Sequence, residues 1–504
     1  MKTLFLNPPS FSGFDGGAGS RFQARREVRS FWYPTWLAQP AALIPDSKLI
    51  DAPADGLSVE DAEARAAGYD LVVMHTSTPS FDNDVKVAEL LKKRYPGVMI
   101  GLVGAHVAVL PEESLKASPA VDFVAREEFD YTLREVALGE PLEKVRGLSW
   151  QRDGRIHHNP DRELISDMDE LPSVLDIYKR DLAVENYYIG YLKHPYLSLY
   201  TGRGCPSRCT FCLWPQTVGG HVYRTRSAES VIAEMARAKS LFPQVKEFFF
   251  DDDTFTADLE RAAVIARGLG RLGIMWSCNA RANVPLEYLK IFKENGLRLV
   301  VVGYESGNQT ILNNIKKGIR VDIARQFTKD CRKVGVTVHG TFILGLPGET
   351  QDTMEESLRF ACDLDMDTIQ VSLAAPYPGT ELYRQAMTNK WFDEASLVRN
   401  DGTQGCTLQY PHLPSAAITA GVKRFYTRFY GRPKPILRML VKMALDPEER
   451  RRRLREGREF LNYLRGRDEC ACLAQGRPVP GGQTSSAPGG GEARRRGVSE
   501  SVDA

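Results

Sequence analysis

No run of about 18 apolar residues occurs anywhere in the 504-residue chain, so the sequence predicts no membrane-spanning helix. The opening Met1-Lys-Thr-Leu-Phe-Leu-Asn-Pro-Pro is a short apolar stretch stopped by two prolines, which is not the pattern of a secretory leader. Cysteines do not pair up: nine of them, at 205, 209, 212, 278, 331, 362, 406, 470 and 472, form an odd and scattered set. Such thiols fit a reducing cytoplasm better than a disulfide framework. A G-x-G-x-x-G fingerprint opening a helix is also lacking, so the glycine-rich Gly13-Phe-Asp-Gly-Gly-Ala-Gly19 gives little support to a dinucleotide site. No Ser/His/Asp set or paired-carboxylate constellation stands out. Without a helix-turn-helix or a paired aromatic platform, no nucleic-acid partner is expected. Hydrophobic content of 43% and charged content of 26% are ordinary for a globular chain of two or three domains. Charge is nearly balanced at +2, but residues 421–468 carry fifteen Lys/Arg against six Asp/Glu. A basic surface facing a partner is therefore expected at the C-terminal end.

What is present in concentrated form is a cysteine loop, Thr201-Gly-Arg-Gly-Cys205-Pro-Ser-Arg-Cys209-Thr-Phe-Cys212, directly after the apolar run Tyr196-Leu-Ser-Leu-Tyr200. Three thiolates at C-x₃-C-x₂-C spacing can hold three corners of an iron–sulfur cubane, leaving one iron open to a ligand that is not protein. Structural zinc is the competing reading. It fits less well, because zinc loops favour two-plus-two spacing and only Cys278 and His221 offer themselves as further ligands. A disulfide would leave one of the three thiols unpaired.

Around this loop the chain divides into segments. Over residues 1–140, short apolar strands (2–7, 49–50, 70–75, 98–103, 121–124) alternate with helical stretches, which predicts a doubly wound parallel sheet. Ligands of such sheets sit outside the carboxyl ends of the strands. This places Ser77, Thr78, Gly104 and Ala105 at a candidate ligand crevice. Residues 141–185 read as a hairpin turning at Asp153-Gly154, followed by an acidic linker. From 186 to 415 a strand–helix unit repeats six times, with strands at 196–200, 247–250, 275–278, 299–302, 336–343 and 369–373. Nearly continuous apolar strands predict a sheet buried on both faces. The residues ending these strands, among them Asp251, Asp252, Asp253, Asn279, Arg281 and Glu305, would face one mouth. Residues 416–470 form a basic helical region, and the Gly/Ser/Pro/Arg-rich 471–504 a disordered tail. The apolar and basic side chains of 436–467 allow a peripheral contact with an anionic membrane, worth about 1 kcal/mol for each cation. The bland alternative is a packed helix pair with a solvated basic face.

The cysteine loop, with Phe211 just before its last cysteine, resembles the signature of the radical S-adenosylmethionine (SAM) superfamily. The resemblance implies a partial (β/α)6 barrel and a [4Fe–4S] cluster on Cys205, Cys209 and Cys212, whose open iron chelates SAM and cleaves it to a 5′-deoxyadenosyl radical. It implies that Asp251–Asp253 correspond to the second-strand motif holding the methionyl amino group, and that Asn279, Arg281 and Glu305 face the SAM carboxylate and ribose. Helix capping or surface ion pairing is the plain alternative for Asp253 and Glu305. A reductant such as flavodoxin or ferredoxin is implied as well. The preceding segment resembles the cobalamin-binding domain of many such proteins, but D-x-H-x-x-G is absent, so any cobalamin is expected to lack a histidine ligand. His75 and His106 are read as structural.

Asn7-Pro-Pro-Ser-Phe, Arg29-Ser-Phe-Trp-Tyr-Pro-Thr-Trp, Cys212-Leu-Trp-Pro-Gln-Thr-Val-Gly-Gly220 and Phe248-Phe-Phe-Asp-Asp-Asp-Thr-Phe255 are similar to the hopanoid-biosynthesis-associated, cyclitol-ether-forming radical SAM family. That likeness implies a hopanoid lipid substrate and contraction of the sugar ring of glucosaminyl bacteriohopanetetrol. It also implies a cytoplasmic enzyme working at the inner membrane. A cobalamin-dependent methyltransferase acting on a hopanoid or another lipid is the alternative. An iron–sulfur/cobalamin sensor without enzymatic activity is the remote one.

Overall fold

The computed structural model describes residues 1–12, 30–392, 397–398, 404–445, 447, 450–459 and 461. The Gly13–Gly19 loop, positions 462–470 and the 471–504 tail lie outside the described residues.

Two sheets organise the chain. The first has seven strands: β1 (Thr3–Asn7), β2 (Ser47–Asp51), β3 (Leu71–His75), β4 (Met99–Val103), β5 (Phe123–Ala125), β6 (Leu148–Arg152) and β7 (Arg155–His158). Its order is β2-β1-β3-β4-β5-β6-β7, parallel through β5 and antiparallel beyond. The Asp-Gly turn forms as its chemistry requires, with Asp153 at φ 53° and Gly154 at φ 73°. The hairpin extends the first sheet, because β6 pairs directly with β5.

The second sheet contains β8 (Tyr196–Leu199), β11 (Glu247–Phe250), β12 (Trp276–Ala280), β13 (Leu297–Glu305), β14 (Thr337–Leu344) and β15 (Thr368–Leu373). They run parallel in the order β15-β14-β13-β12-β11-β8 with helices between them, a six-stranded half-barrel. Between β8 and β11 lies a two-residue ladder, β9 (Gly202–Arg203) with β10 (Arg224–Thr225), which frames the cysteine loop.

The half-barrel is not sealed equally on its two faces. Phe250 stacks on Phe255, packs against Trp276 and leads to Phe292 in the helix Leu286–Glu294, so this face lies under the helices. On the opposite, lumen side of β13–β15, the alternating residues Val301, Thr341, Ile343, Gln370 and Ser372 are only half-buried, while their neighbours are buried. The expectation of burial on both faces holds for the helix side. Apolar Val301 and Ile343 line an open lumen instead.

The two sheets share one core. Residues 30–44 thread between them, with Tyr33 stacked on Tyr187 at 4.1 Å and edge-on to Tyr196 at 5.4 Å. The Tyr33 hydroxyl donates to Tyr196 O and the Tyr196 hydroxyl to Phe31 O, at 2.8 and 2.9 Å. Among the described residues no helix is long and apolar enough to cross a membrane.

Candidate active site at the cysteine loop

Gly204 sets the shape of the loop. Its φ is +85°, and a Cβ there would lie 2.3 Å from Val222 O and 2.7 Å from Gly219 O, so only glycine lets the loop close on itself. Cys205 N–H then donates to Gly220 O. Gln216, on the short helix Leu213–Thr217, fixes the other end: its Nε2 donates to the carbonyls of Cys209, Thr210 and Cys212 at 3.2, 3.3 and 2.7 Å. Cys205 and Cys209 are buried and Cys212 is half-buried, with no disulfide among them. Phe211 packs half-buried against the main core. Among the described residues no three His, Cys, Asp or Glu side chains are grouped to hold a single metal ion. Cys278 pairs in register with Phe250, on the helix side of the sheet away from the lumen, so it is no fourth ligand to the loop. His221 is held to Ser207 O at 3.0 Å. Three thiols without a fourth protein ligand fit a cluster with one open iron.

Positive charge is gathered beside Cys209. Burial pushes its thiol pKa up, while Lys317 and Arg281 pull it down towards the thiolate a metal needs. The Arg281 guanidinium donates to the Ser207 hydroxyl inside the loop, and to Lys317 O and Gly318 O at 3.0 and 3.1 Å. Lys317 Nζ donates to Glu305 Oε1 at 2.6 Å. Burial works against the Lys317 charge, but Glu305 and Cys209 hold its pKa above the usual lysine value. Glu305 itself stands at φ 61°, where β13 is bulged between Gly303 and Glu305, which turns its carboxylate over Gly303. Lys317 and Gln216 were not singled out from sequence, and their role depends on long-range register.

The Asp251–Asp253 run divides its work. Asp252 is fully buried and both its oxygens are engaged: Oδ1 accepts from Thr201 N–H, and Oδ2 from the Thr201 and Tyr223 hydroxyls, each at 2.6 Å. Burial raises its pKa and these donors oppose the rise. Asp252 therefore pins the start of the cysteine loop, and its expected role as a SAM ligand is corrected to that. Asp251 is half-buried at the lumen mouth, where Asn279 Nδ2 donates to its Oδ1 at 3.1 Å and to Asp252 O at 3.0 Å. Asp253 is half-buried beside them.

The carboxyl ends of β3 and β4 face this loop. Gly104 has φ +121°, and a Cβ there would meet Thr76 O at 2.2 Å and His75 Nε2 at 3.2 Å. Ser77 is engaged locally, its hydroxyl 3.0 Å from that of Ser80, and Thr78 Oγ1 lies 3.1 Å from His106 Nδ1. Ala105 opens a short helix, Ala105–Val109, and joins a small apolar cluster with Leu213, Trp214 and Val218 just beyond Cys212. Trp36 stacks on Trp214 at 5.4 Å, and His75 stacks against the same ring at 6.5 Å. His75 is buried, with its pKa lowered to about 4 by desolvation. His75 Nε2 is buried without a hydrogen-bond partner. Bare backbone at the strand ends and this unsatisfied ring nitrogen at the junction fit a polar cofactor bound there.

Comparison with known proteins agrees with this geometry. The radical SAM superfamily profile matches residues 199–361, and the B12 binding domain profile residues 24–137. An uncharacterized methyltransferase of Pyrococcus horikoshii is 30% identical over 456 residues, covering 87% of this chain and 94% of that protein. Cytidylyl-2-hydroxyethylphosphonate methyltransferase of Streptomyces wedmorensis is 28% identical over 64% of this chain and 66% of its own length. Among solved structures, OxsB with aqua-cobalamin and SAM bound superposes with a TM-score of 0.65 at 16% identity, covering 94% of this chain and 74% of that one. The methyltransferase TsrM of Kitasatospora setae, with cobalamin and a [4Fe–4S] cluster, gives 0.62 at 14% identity over 84% and 88%. At such identities the two structures speak for the fold alone.

Proposed function

Because the chain belongs to the radical SAM superfamily and carries a B12-binding domain ahead of the half-barrel, we propose that it is a cobalamin-dependent radical enzyme acting at an unactivated carbon of a lipid, with methyl transfer as the reaction its relatives best support. The observation that carries the proposal is the packing of Ala105, beside the carboxyl end of β4, on Leu213 and Trp214 just after the cysteine loop, which supports a reading in which both cofactors meet at one junction. When bound, the cluster and SAM supply a carbon radical and cobalamin supplies one-carbon chemistry. The chain's residues hold and orient. Cys205, Cys209 and Cys212 anchor the cluster, and Arg281 and Lys317 keep positive charge beside Cys209. Asp251, Asp253 and Asn279 present polar groups at the mouth for the amino end of SAM, with Glu305 and Phe211 flanking it. Gly104, Ala105, Ser77 and Thr78 line the cobalamin side. Flavodoxin or ferredoxin is the class of reductant.

A second reading is contraction of the sugar ring of glucosaminyl bacteriohopanetetrol to the cyclitol ether. Its support is specific: two segments that resemble the cyclitol-ether family meet at the junction, where Trp36 stacks on Trp214 and Gln216 clamps the cysteine loop. Both readings share a lipid substrate. The helix Pro433–Leu445 supports this, since it exposes Leu437, Leu440, Val441 and Leu445. With exposed Arg450, Arg451 and Arg458 nearby, it would attach the protein peripherally to the inner membrane.

Lipid profiles of a strain lacking the gene test the readings against each other. Loss of a methylated lipid supports methyl transfer. Loss of the cyclitol ether with accumulation of glucosaminyl hopanoid supports ring contraction, and an unchanged profile overturns both.

A further inference from the structure

At the foot of the half-barrel, on the amino-terminal side of β14 and β15, lies a cavity of about 260 Å³. Apolar side chains make most of its wall, among them Trp32, Tyr191, Ile369 and Met439. Four charged residues line the wall: the two cations are already paired within the protein, Arg438 with Asp365 and Arg453 with Glu456, both at 3.2 Å, and the other two, Asp367 and Glu456, are carboxylates. The cavity is therefore not an anion site. Its remaining polar groups include His339 and Gln370. Both stand on the lumen side of their strands, and half-buried Thr341, Ile343 and Ser372 continue that side upward. The cavity thus lies at the lower end of the lumen whose mouth holds Asp251 and Asn279.

Size and polarity narrow the ligand. A dry cavity of about 150 Å³ admits benzene, so this one has room for roughly ten carbons. Trp32 Nε1 and His339 Nε2 are buried without a hydrogen-bond partner, an arrangement that costs stability unless something else satisfies it. Burial holds the His339 pKa down at about 3, so the ring is neutral and suited to an uncharged oxygen. The outer wall is the helix Pro433–Leu445, which contributes Pro435, Arg438 and Met439 to the cavity. Its other face exposes Leu437, Leu440, Val441 and Leu445 by 64%, 54%, 48% and 81%. One helix thus has an apolar cavity behind it and an apolar surface in front.

We propose that this cavity binds the apolar body of the substrate, a neutral hydrocarbon chain or ring system carrying at most a hydroxyl, whose reacting end extends up the lumen to the cysteine loop. The proposal rests on the lipid reading above and assigns to that lipid a place the comparisons do not give.

The test is equilibrium dialysis of the full-length, anaerobically reconstituted protein against tritiated farnesol, a neutral terpenoid alcohol. Saturable binding is expected, weakened about tenfold or more by Met439→Trp and by Gln370→Trp, both on the cavity wall. Met439 is partly exposed, so the first variant should fold, and iron content and far-UV dichroism of both variants check this. Absence of saturable binding by the wild type, or equal binding by both folded variants, overturns the site. An unchanged lipid profile in the deletion strain would overturn the lipid reading and with it the occupant's identity. Farnesol binding lost in Met439→Trp would still establish the site in that case.

Discussion

Arg203, inside the ladder that frames the cysteine loop, gives a prediction that can be worked through from the structure. Its side chain is 5% exposed and donates from Nη1 and Nη2 to the two oxygens of Asp130 at 2.6 and 3.1 Å. Glu128 lies 3.5 Å from the same guanidinium and takes Arg224 at 2.7 and 2.8 Å. Burial opposes the Arg203 charge, but the two carboxylates outweigh it and hold its pKa above the ordinary value. Four charges therefore join the first domain to the cysteine loop in a place water hardly reaches. Removing one partner of such a pair strands the other, at a cost of about 3–5 kcal/mol, whereas replacing both by apolar groups is often near neutral. Arg203→Met and Asp130→Leu should each lower stability by about that amount in urea titrations followed by dichroism, and the double variant should recover most of it. Iron content should survive in the double variant, because the three thiols and Gln216 are untouched. If each single variant loses less than about 1 kcal/mol, or if the double variant loses the sum of the two, the knot is not the coupled unit described.

Cys209→Ala should bind less iron than the wild type on anaerobic reconstitution and lose SAM cleavage; four irons retained per chain would refute the cluster assignment. Cobalamin bound at the first domain should show no nitrogen superhyperfine splitting from the protein in the EPR spectrum of its Co(II) form, since His75 is buried beneath Trp214 and His106 is held to Thr78. The Glu349 carboxyl, buried at the carboxyl end of β14, has its pKa raised from 4.5 to about 8 by desolvation. Its contribution to stability is full below 4.5 and is lost as pH rises through 8, so Glu349→Gln should gain on the wild type in urea titrations over that window. Co-sedimentation with anionic liposomes should fall with salt and fall again in a triple Arg450→Gln, Arg451→Gln, Arg458→Gln variant, by roughly a hundredfold at about 1 kcal/mol for each charge; a protein that stays in the supernatant at low salt has only a solvated helix.

The succession of strands along the chain and the cysteine loop were legible in the sequence because each rests on local pattern: β-branched runs, turn residues and a fixed cysteine spacing. What needed the structure was the direction each side chain takes. Asp251, Asp252 and Asp253 are indistinguishable as letters, yet alternation along the backbone sends Asp252 under the loop to Thr201, 51 residues away, and leaves Asp251 at the mouth. The four arginines 450–453 read as one charge block. Helical periodicity divides them, leaving Arg450 and Arg451 exposed while Arg452 donates to Leu192 O and Arg453 meets Glu456. Membrane attraction computed from all four would be overstated. Lys317 follows a helix end with no motif around it, and only the bulge in β13 brings Glu305 to it.

The junction also constrains how a substrate arrives. A carbon-centred radical must be kept from water and from adventitious hydrogen donors, which favours a closed reaction chamber. The first domain's contacts with the half-barrel run from mouth to foot: the stacked Trp36–Trp214 pair and the Arg203–Asp130 knot, joined where the Arg203 guanidinium lies 5.0 Å over the Trp36 ring, close the mouth, and the Tyr33–Tyr196 hydrogen bonds fasten the amino end of β8. Opening the mouth widely would break the linked aromatic and ionic contacts together. If the substrate is the apolar lipid proposed above, its easier path is along the half-open lumen face of β13–β15, from the foot where the apolar cavity lies. The helix with the exposed leucines stands at that same foot. On the lipid reading proposed above, entry from a bilayer, seating of the hydrocarbon body below and chemistry at the polar end above would all use one arrangement: a barrel closed at the mouth by the first domain, with the lumen face of β13–β15 only half-buried.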